Sequence, residues 1–241
     1  MDKLFNKKGI YGIVLFLFLM TSTVFAFEMD SRWVYVGKDN RAIMYYDKQT
    51  AQYDPDTHTI TIWEKVISDG KPLCIGQYHI FLERREYQGI KHAIYDENTG
   101  ERKIIKQSQY PMEKIAPDSD IEKAANDVCD QYGISHMSSN AADRWNWIYS
   151  SATKTCTYAK DFITIDRVNK TVEIWVRATN LNSFTFRPVL YTCHIDDQTV
   201  DYAGHKGIAK GLDIFPETIE EAVLDKAKEL YFSNFAHLKP L

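Results

Sequence analysis

No familiar catalytic signature occurs in this chain of 241 residues. A Gly-x-Ser-x-Gly elbow, a His-Glu-x-x-His pair and a phosphate-cradling glycine loop are all missing, so serine-hydrolase, zincin and nucleotide-hydrolysing chemistries have no foothold. The four cysteines form no Cys-x-x-Cys pair, which removes zinc ribbons and thioredoxin-type exchange. Basic clusters are equally scarce. Arg84-Arg85 and Arg102-Lys103 are isolated pairs in a chain of formal charge −4, so nucleic acid, whose phosphates demand grouped Lys and Arg, is not an expected partner. Beyond the N-terminus no segment is apolar enough to span a bilayer, and no cofactor is expected.

The N-terminus itself is distinctive. Lys3, Lys7 and Lys8 precede an apolar run from Ile10 to Met20, and Val24-Phe25-Ala26 resembles a small-residue cleavage site. Residues 1–26 are therefore read as an export signal. Thr21-Ser22-Thr23 interrupts the apolar run, which is short for a retained anchor of ~20 residues. No cysteine lies near the cleavage point, against a lipoprotein. Removing Asp2 and the three lysines shifts the formal charge from −4 to about −6. The expectation is an exported protein: secreted, periplasmic or at the cell surface.

The remaining chain says the same thing twice. Arg32-Trp33-Val34-Tyr35-Val36 returns as Arg144-Trp145-Asn146-Trp147-Ile148, 112 residues later. The same shift carries Tyr46 onto Tyr158, Asp54 onto Asp166 and Ile62-Trp63 onto Ile174-Trp175. Ile115-Ala116-Pro117-Asp118-Ser119 matches Ile214-Phe215-Pro216-Glu217-Thr218 at a shift of 99, so the second copy is shorter. Tandem duplication divides the chain into a first repeat (27–133), a linker (134–143), a second, shortened repeat (144–233) and a tail (234–241). At about ten residues the linker leaves the repeats in contact.

Each repeat opens with strands and closes with a helix. His58 to Val66 and Lys170 to Ala178 alternate with period two, setting Ile60, Ile62 and Glu64 on one face and Trp63 on the other. Trp63 and Trp175 share a side, the one expected to lie under a helix, with Trp33 and Trp145 filling the same cores. Asp96 to Gly100 reads as the turn of a hairpin between Ile90–Tyr95 and Arg102–Lys106. Ser119-Asp120-Ile121-Glu122 and Thr218-Ile219-Glu220-Glu221 spell capping boxes, which start helices over Asp120–Gln131 and Ile219–Phe232. The fold class expected is α+β: two tandem modules, each a curved antiparallel sheet packed by one C-terminal helix. Four cysteines permit three pairings. One bridge per repeat, Cys74–Cys129 and Cys156–Cys193, is favoured in an exported chain, with a mixed Cys129–Cys193 bridge left open.

These residues resemble the surface-adhesin protein E-like domain of exported bacterial proteins. The resemblance rests on Trp33 to Val36, Tyr45-Tyr46-Asp47, the alternating strand Ile60 to Trp63, and the turn Tyr95, Asp96, Gly100. The closing element, Ile115, Pro117, Ser119, Val128 and Cys129, completes it. It covers Arg32 to Gln131 well and Arg144 to Phe232 more weakly. It implies a curved sheet under a helix, a strand-to-helix disulfide, and adhesion to or binding of host matrix proteins. Cys74 is displaced from the family's strand position, near Phe81 or Leu82, and the second helix has no cysteine.

The leading function is accordingly a non-enzymatic, adhesin-like binding module that meets a protein ligand, host extracellular matrix among the options, through sheet and loop surfaces. Tyr45, Tyr87, Tyr110 and Trp147 are the surface candidates, because they depart from the repeated pattern and aromatic side chains give contact area at low entropy cost. An envelope structural or assembly protein is the alternative. A metal-dependent hydrolase around His194 ranks last. His194, Asp196, Asp197 and His205 form the nearest thing to a metal or acid–base cluster, but such residues at strand ends are more often solvated turns.

Overall fold

The computed structural model describes residues 31–39, 42–96, 98–105, 110–137, 143–180, 182, 185–204 and 207–233. The expected export signal, the tail at 234–241 and linker residues 138–142 lie outside the described residues.

Runs of β-branched and aromatic residues with period-two burial build two antiparallel sheets. The first contains β1 (Trp33–Asp39), β2 (Ala42–Asp47), β3 (Gln52–Asp54), β4 (Thr59–Ser68), β5 (Lys71–Phe81), β6 (Glu86–Tyr95), β7 (Arg102–Ile105) and β8 (Met112–Lys114). Its order is β1-β2-β4-β5-β6-β7, with β3 beside β4 and β8 beside β6. The second contains β9 (Trp145–Ser150), β10 (Lys154–Ala159), β11 (Thr164–Asp166), β12 (Thr171–Asn180), β13 (Val189–His194), β14 (Thr199–Gly204) and β15 (Gly207–Leu212). Its order, β9-β10-β12-β13-β14-β15 with β11 beside β12, repeats that of the first. Helix α1 (Asp120–Tyr132) follows the first sheet and α2 (Ile219–Ser233) the second.

The α+β expectation is corrected here. The described residues are mainly β, with fifteen strands in two sheets against only two helices. Strands β4, β5, β6 and β12 each run ten or eleven residues, and between them they form the continuous middle of both sheets. The helices are single covers on those sheets rather than a second layer of equal weight.

The 112-residue offset reappears in backbone detail. Lys48 N–H donates to the Arg32 carbonyl at 2.9 Å, and Lys160 N–H donates to that of Arg144 at 2.9 Å. His58 and Lys170 both take positive φ, as do Asp118 and Glu217 just ahead of the two helices. Both capping boxes are formed. Glu122 N–H donates to Ser119 Oγ and Glu221 N–H to Thr218 Oγ1, each at 3.3 Å. The glutamates reach one residue further back than a cap amide, accepting from Asp118 N–H at 2.6 Å and Glu217 N–H at 2.7 Å. Gly133 closes α1 in the left-handed region, with Ile134 N–H donating to the Cys129 carbonyl.

Each helix covers the isoleucine face of its sheet. Ile60, Ile62, Ile80 and Tyr46 pack under Ala124, Ala125 and Val128, and Val172, Ile174 and Val200 under Val223, Leu224 and Ala227. The four repeated tryptophans are absent from both cores and lie half-buried on the opposite faces. There each carries a cation. Lys65 Nζ sits 4.1 Å from the Trp33 ring centre, and Arg177, 112 residues on, stacks its guanidinium 4.0 Å from Trp145.

The expected disulfides are also corrected: all four cysteines are free thiols. Cys156 pairs with Ala178 and Cys193 with Val172, six residues apart on the intervening strand β12. That separates them by roughly 20 Å along the strand, several times the reach of a disulfide. Cys74 lies towards the start of β5, paired with Val66 and Ile94. Cys129 sits nine residues into α1, about 13 Å down the axis from the end that meets Glu64, and is buried in the core. Burial pushes the Cys129 and Cys193 thiols up, to about 11 and about 12.

The two units touch through charge. Arg144, only 1% exposed, places its guanidinium against both oxygens of Glu122 at 2.6 and 2.8 Å, Asp118 at 2.8 Å and Asp161 at 3.1 Å. Trp145 Nε1 donates to Asp118 at 2.8 Å, and Lys114 bridges Glu86 and Glu173, each at 3.2 Å. In the first unit Arg32 pairs instead with its own Asp47, whose counterpart in the second is Ala159. The second arginine, deprived of that acid, is satisfied by Asp161 and by the capping box of the first unit.

Candidate functional site

Two concavities belong to the first sheet, one on each face. On the face away from α1, β1, β2, β4, β5 and β6 align their outward residues in rows. Trp33, Asp47, Trp63, Gln77 and Lys91 form one row; Tyr35, Tyr45, Lys65, Ile75, Ala93 and Ile104 form the next. Together with Arg102 they shape a groove of about 590 Å³ lined by Trp33, Trp63, Ile75 and Ile104. Tyr35 and Ile104 are 57% and 59% exposed. The one acid in the groove, Asp47, is already held by Arg32 and by the Thr50 hydroxyl at 2.6 Å. Burial raises the Asp47 carboxyl, but these hydrogen bonds outweigh it and hold it below the ordinary carboxylate range. With Lys91 and Arg102 exposed at the rim, the groove is aromatic and positively edged.

On the helix face, a hollow of about 320 Å³ opens beneath the first turn of α1, between β4, β6 and β8. Gly76 and Gly89 leave room for the His92 ring, since a Cβ at either would come within 2.8 Å of it. Gly37 does the same for the Asp120 carboxyl. The His92 ring meets Tyr110 at 4.7 Å and Tyr78 at 5.2 Å between ring centres, and Tyr78 meets Tyr87 at 6.0 Å. The Tyr87 hydroxyl donates to Glu113 at 2.6 Å. Glu64 projects into this hollow. Burial, and next the Asp120 carboxylate, push its carboxyl up to about 7. Burial also raises Asp120 and lowers His92.

Of the aromatic candidates read from the sequence, the structure unites two. Tyr87 and Tyr110 line the hollow under α1. Tyr45 is 8% exposed, packed edge-on against Tyr35 at 6.0 Å, so it supports the other face rather than forming a surface. Trp147 is 65% exposed on β9 of the second unit, donating to Ser150 Oγ at 2.9 Å, apart from both concavities. The His194 grouping does not assemble as read. His194 Nε2 faces Asp201 at 3.2 Å, Asp196 pairs with Lys170 at 2.6 Å, and His205 lies outside the described residues. Among the described residues no three His, Cys, Asp or Glu side chains converge as a metal site. Sequence reasoning missed Glu64, His92 and Tyr78. The available signal was Glu64 on the isoleucine face of β4, a charge at a position that Val176 occupies in the second unit.

No protein-family model and no curated protein matches the chain. Among solved structures, it resembles that of Haemophilus influenzae protein E at 16% identity and a TM-score of 0.35, covering 43% of this chain and 88% of that one. A second crystal form of that protein gives 16% identity and a TM-score of 0.34, covering 43% of this chain and 91% of that one. Among the described residues no helix is long and apolar enough to cross a membrane.

Proposed function

We propose that this chain is an exported, non-enzymatic binding module of the adhesin-like class, which meets a protein ligand through the open face of its first sheet. One observation carries the reading: Trp33, Trp63, Ile75 and Ile104 line a groove of about 590 Å³ on the face that α1 leaves uncovered. Aromatic anchors in a concave apolar surface with a polar rim are the usual energetic centre of a protein interface. Lys91 and Arg102 at the rim match an acidic segment of the ligand, and α1 on the reverse face keeps the sheet rigid. The sequence resemblance to protein E-like adhesin domains, strongest over Arg32 to Gln131, supports the same class of partner.

The test is saturable binding of residues 27–241 to a panel of matrix glycoproteins at physiological salt. Binding is expected to weaken at least tenfold in Trp63→Ala, to weaken with added salt, and to ignore reductant because the cysteines are free thiols. Absence of saturable binding across the panel, or indifference to Trp63→Ala in a folded variant, overturns the reading. An envelope-assembly role would then come first.

A further inference from the structure

We infer that the hollow beneath the first turn of α1 is a second binding site, one that takes a primary alkylammonium group the size of a lysine side chain. It stands on the opposite side of the sheet from the groove and is independent of it. The argument begins with Glu64. Its carboxyl lines the hollow and has no hydrogen-bond or ion-pair partner, although β4 places it in the row Tyr46, Glu64, Gly76, His92 under the helix. A desolvated carboxyl without a partner destabilises a fold, and an apolar side chain there would not. The second unit shows that alternative: Val176, 112 residues on, is 3% exposed within an entirely ordinary apolar core. The first unit thus retains an unmet charge where its counterpart has a valine.

The surroundings specify what would meet that charge. Glu113 and Asp120 are the other acids of the hollow, and its walls are the rings of Tyr78, Tyr87 and Tyr110 with His92. Burial keeps His92 in its neutral form, so it adds no opposing charge. Three carboxyls and three tyrosine rings around one cavity suit a cation with an apolar stem: the ammonium meets the carboxylates while the chain lies along the rings. An anion would face all three acids. The first turn of α1 offers little to an anion, because its Glu122 amide is already taken by Ser119 Oγ.

The groups facing Glu64 also predict a pH response. Cys74 and Tyr78 on β5, Tyr87 and His92 on β6, Glu113 on β8 and Asp120 on α1, with Lys123 behind it, surround the site. Among them only Glu64 is poised near pH 7, so binding should strengthen as pH rises through about 7, where its carboxylate forms.

The experiment is calorimetric titration of the full exported chain with n-butylammonium, n-butylguanidinium and n-butanol. Saturable binding of butylammonium is expected, with butanol at least tenfold weaker and Glu64→Gln at least tenfold weaker than the parent. Glu64→Val, the residue of the second unit, should abolish binding while leaving the circular dichroism spectrum intact and raising the melting temperature. Stronger binding of butylguanidinium would overturn the assignment of the ammonium in favour of an arginine-like group. No binding, equal binding of butanol, or unchanged affinity in a folded Glu64→Gln protein would overturn the site itself. None of these outcomes bears on the groove, because Trp63 and Glu64 lie on opposite faces of β4.

Discussion

Glu64 and Asp47 are acids in adjacent rows of one sheet, yet they respond oppositely to their surroundings. Asp47 is completely buried but accepts from Arg32, Thr50 and the Gln49 amide, so its charged form is favoured in the fold. Its contribution is present above the unfolded carboxylate range and lost as pH falls through its depressed value. Glu64 has no such partner, and its carboxyl is raised from 4.5 to about 7. A raised acid binds its proton more tightly in the folded state, so its effect runs the other way. Stability falls as pH climbs from about 4.5 and levels off above about 7, a change on the order of 2–3 kcal/mol. Glu64→Gln should flatten that segment of the stability curve in urea titrations. A curve unchanged by the substitution would show that Glu64 titrates normally.

At the scale of elements, the two helices test how much local chemistry decides. Both begin at a hydroxyl cap with a glutamate three residues on, and both caps form. Thr218→Ala removes one acceptor at an exposed helix start and should cost about 1 kcal/mol, lowering the melting temperature by roughly 2–4 °C. The Ser119 box is a less clean target, because its Glu122 also holds Arg144. The helix limits were legible from Pro117, Ser119, Glu122 and Gly133, since these act within one or two turns. The hairpin at Asp96 was legible for the same reason: Asp96 N–H donates to the Glu101 carbonyl, and its carboxylate accepts from the Asn98 and Thr99 amides. The weight of each element was not. Ten-residue strands and a single cover helix per unit make a mainly β molecule, and local pattern does not count how many strands join a sheet.

For the whole molecule the decisive residue is Arg144. It is buried at the junction, and the acids around it come from Asp118 and Glu122 of the first unit and Asp161 of the second. Replacing it with Met leaves Glu122 buried and unpaired, which should cost about 3–5 kcal/mol. Because the pair also joins the units, differential scanning calorimetry should resolve one transition into two in Arg144→Met. A single transition displaced by less than about 1 kcal/mol would show that the junction contributes little to cooperativity.

What could be read along the chain was whatever neighbouring residues settle among themselves. The 112-residue offset, the alternation of β4 and β12, the capping boxes and the paired Asp54 and Asp166 turns all depend on contacts within a few residues, and all were visible without coordinates. Alternation divides Ile62 from Trp63, but both are apolar, so the pattern does not say which face the helix will cover. That choice rests on whole-sheet packing, where compact isoleucines meet the helix and tryptophans instead carry Lys65 or Arg177. The cysteine positions, the acids that receive Arg144 and the gathering of Glu64, His92 and Tyr110 likewise depend on strand order and register. They join residues tens of positions apart, and only the assembled sheets bring such residues within reach.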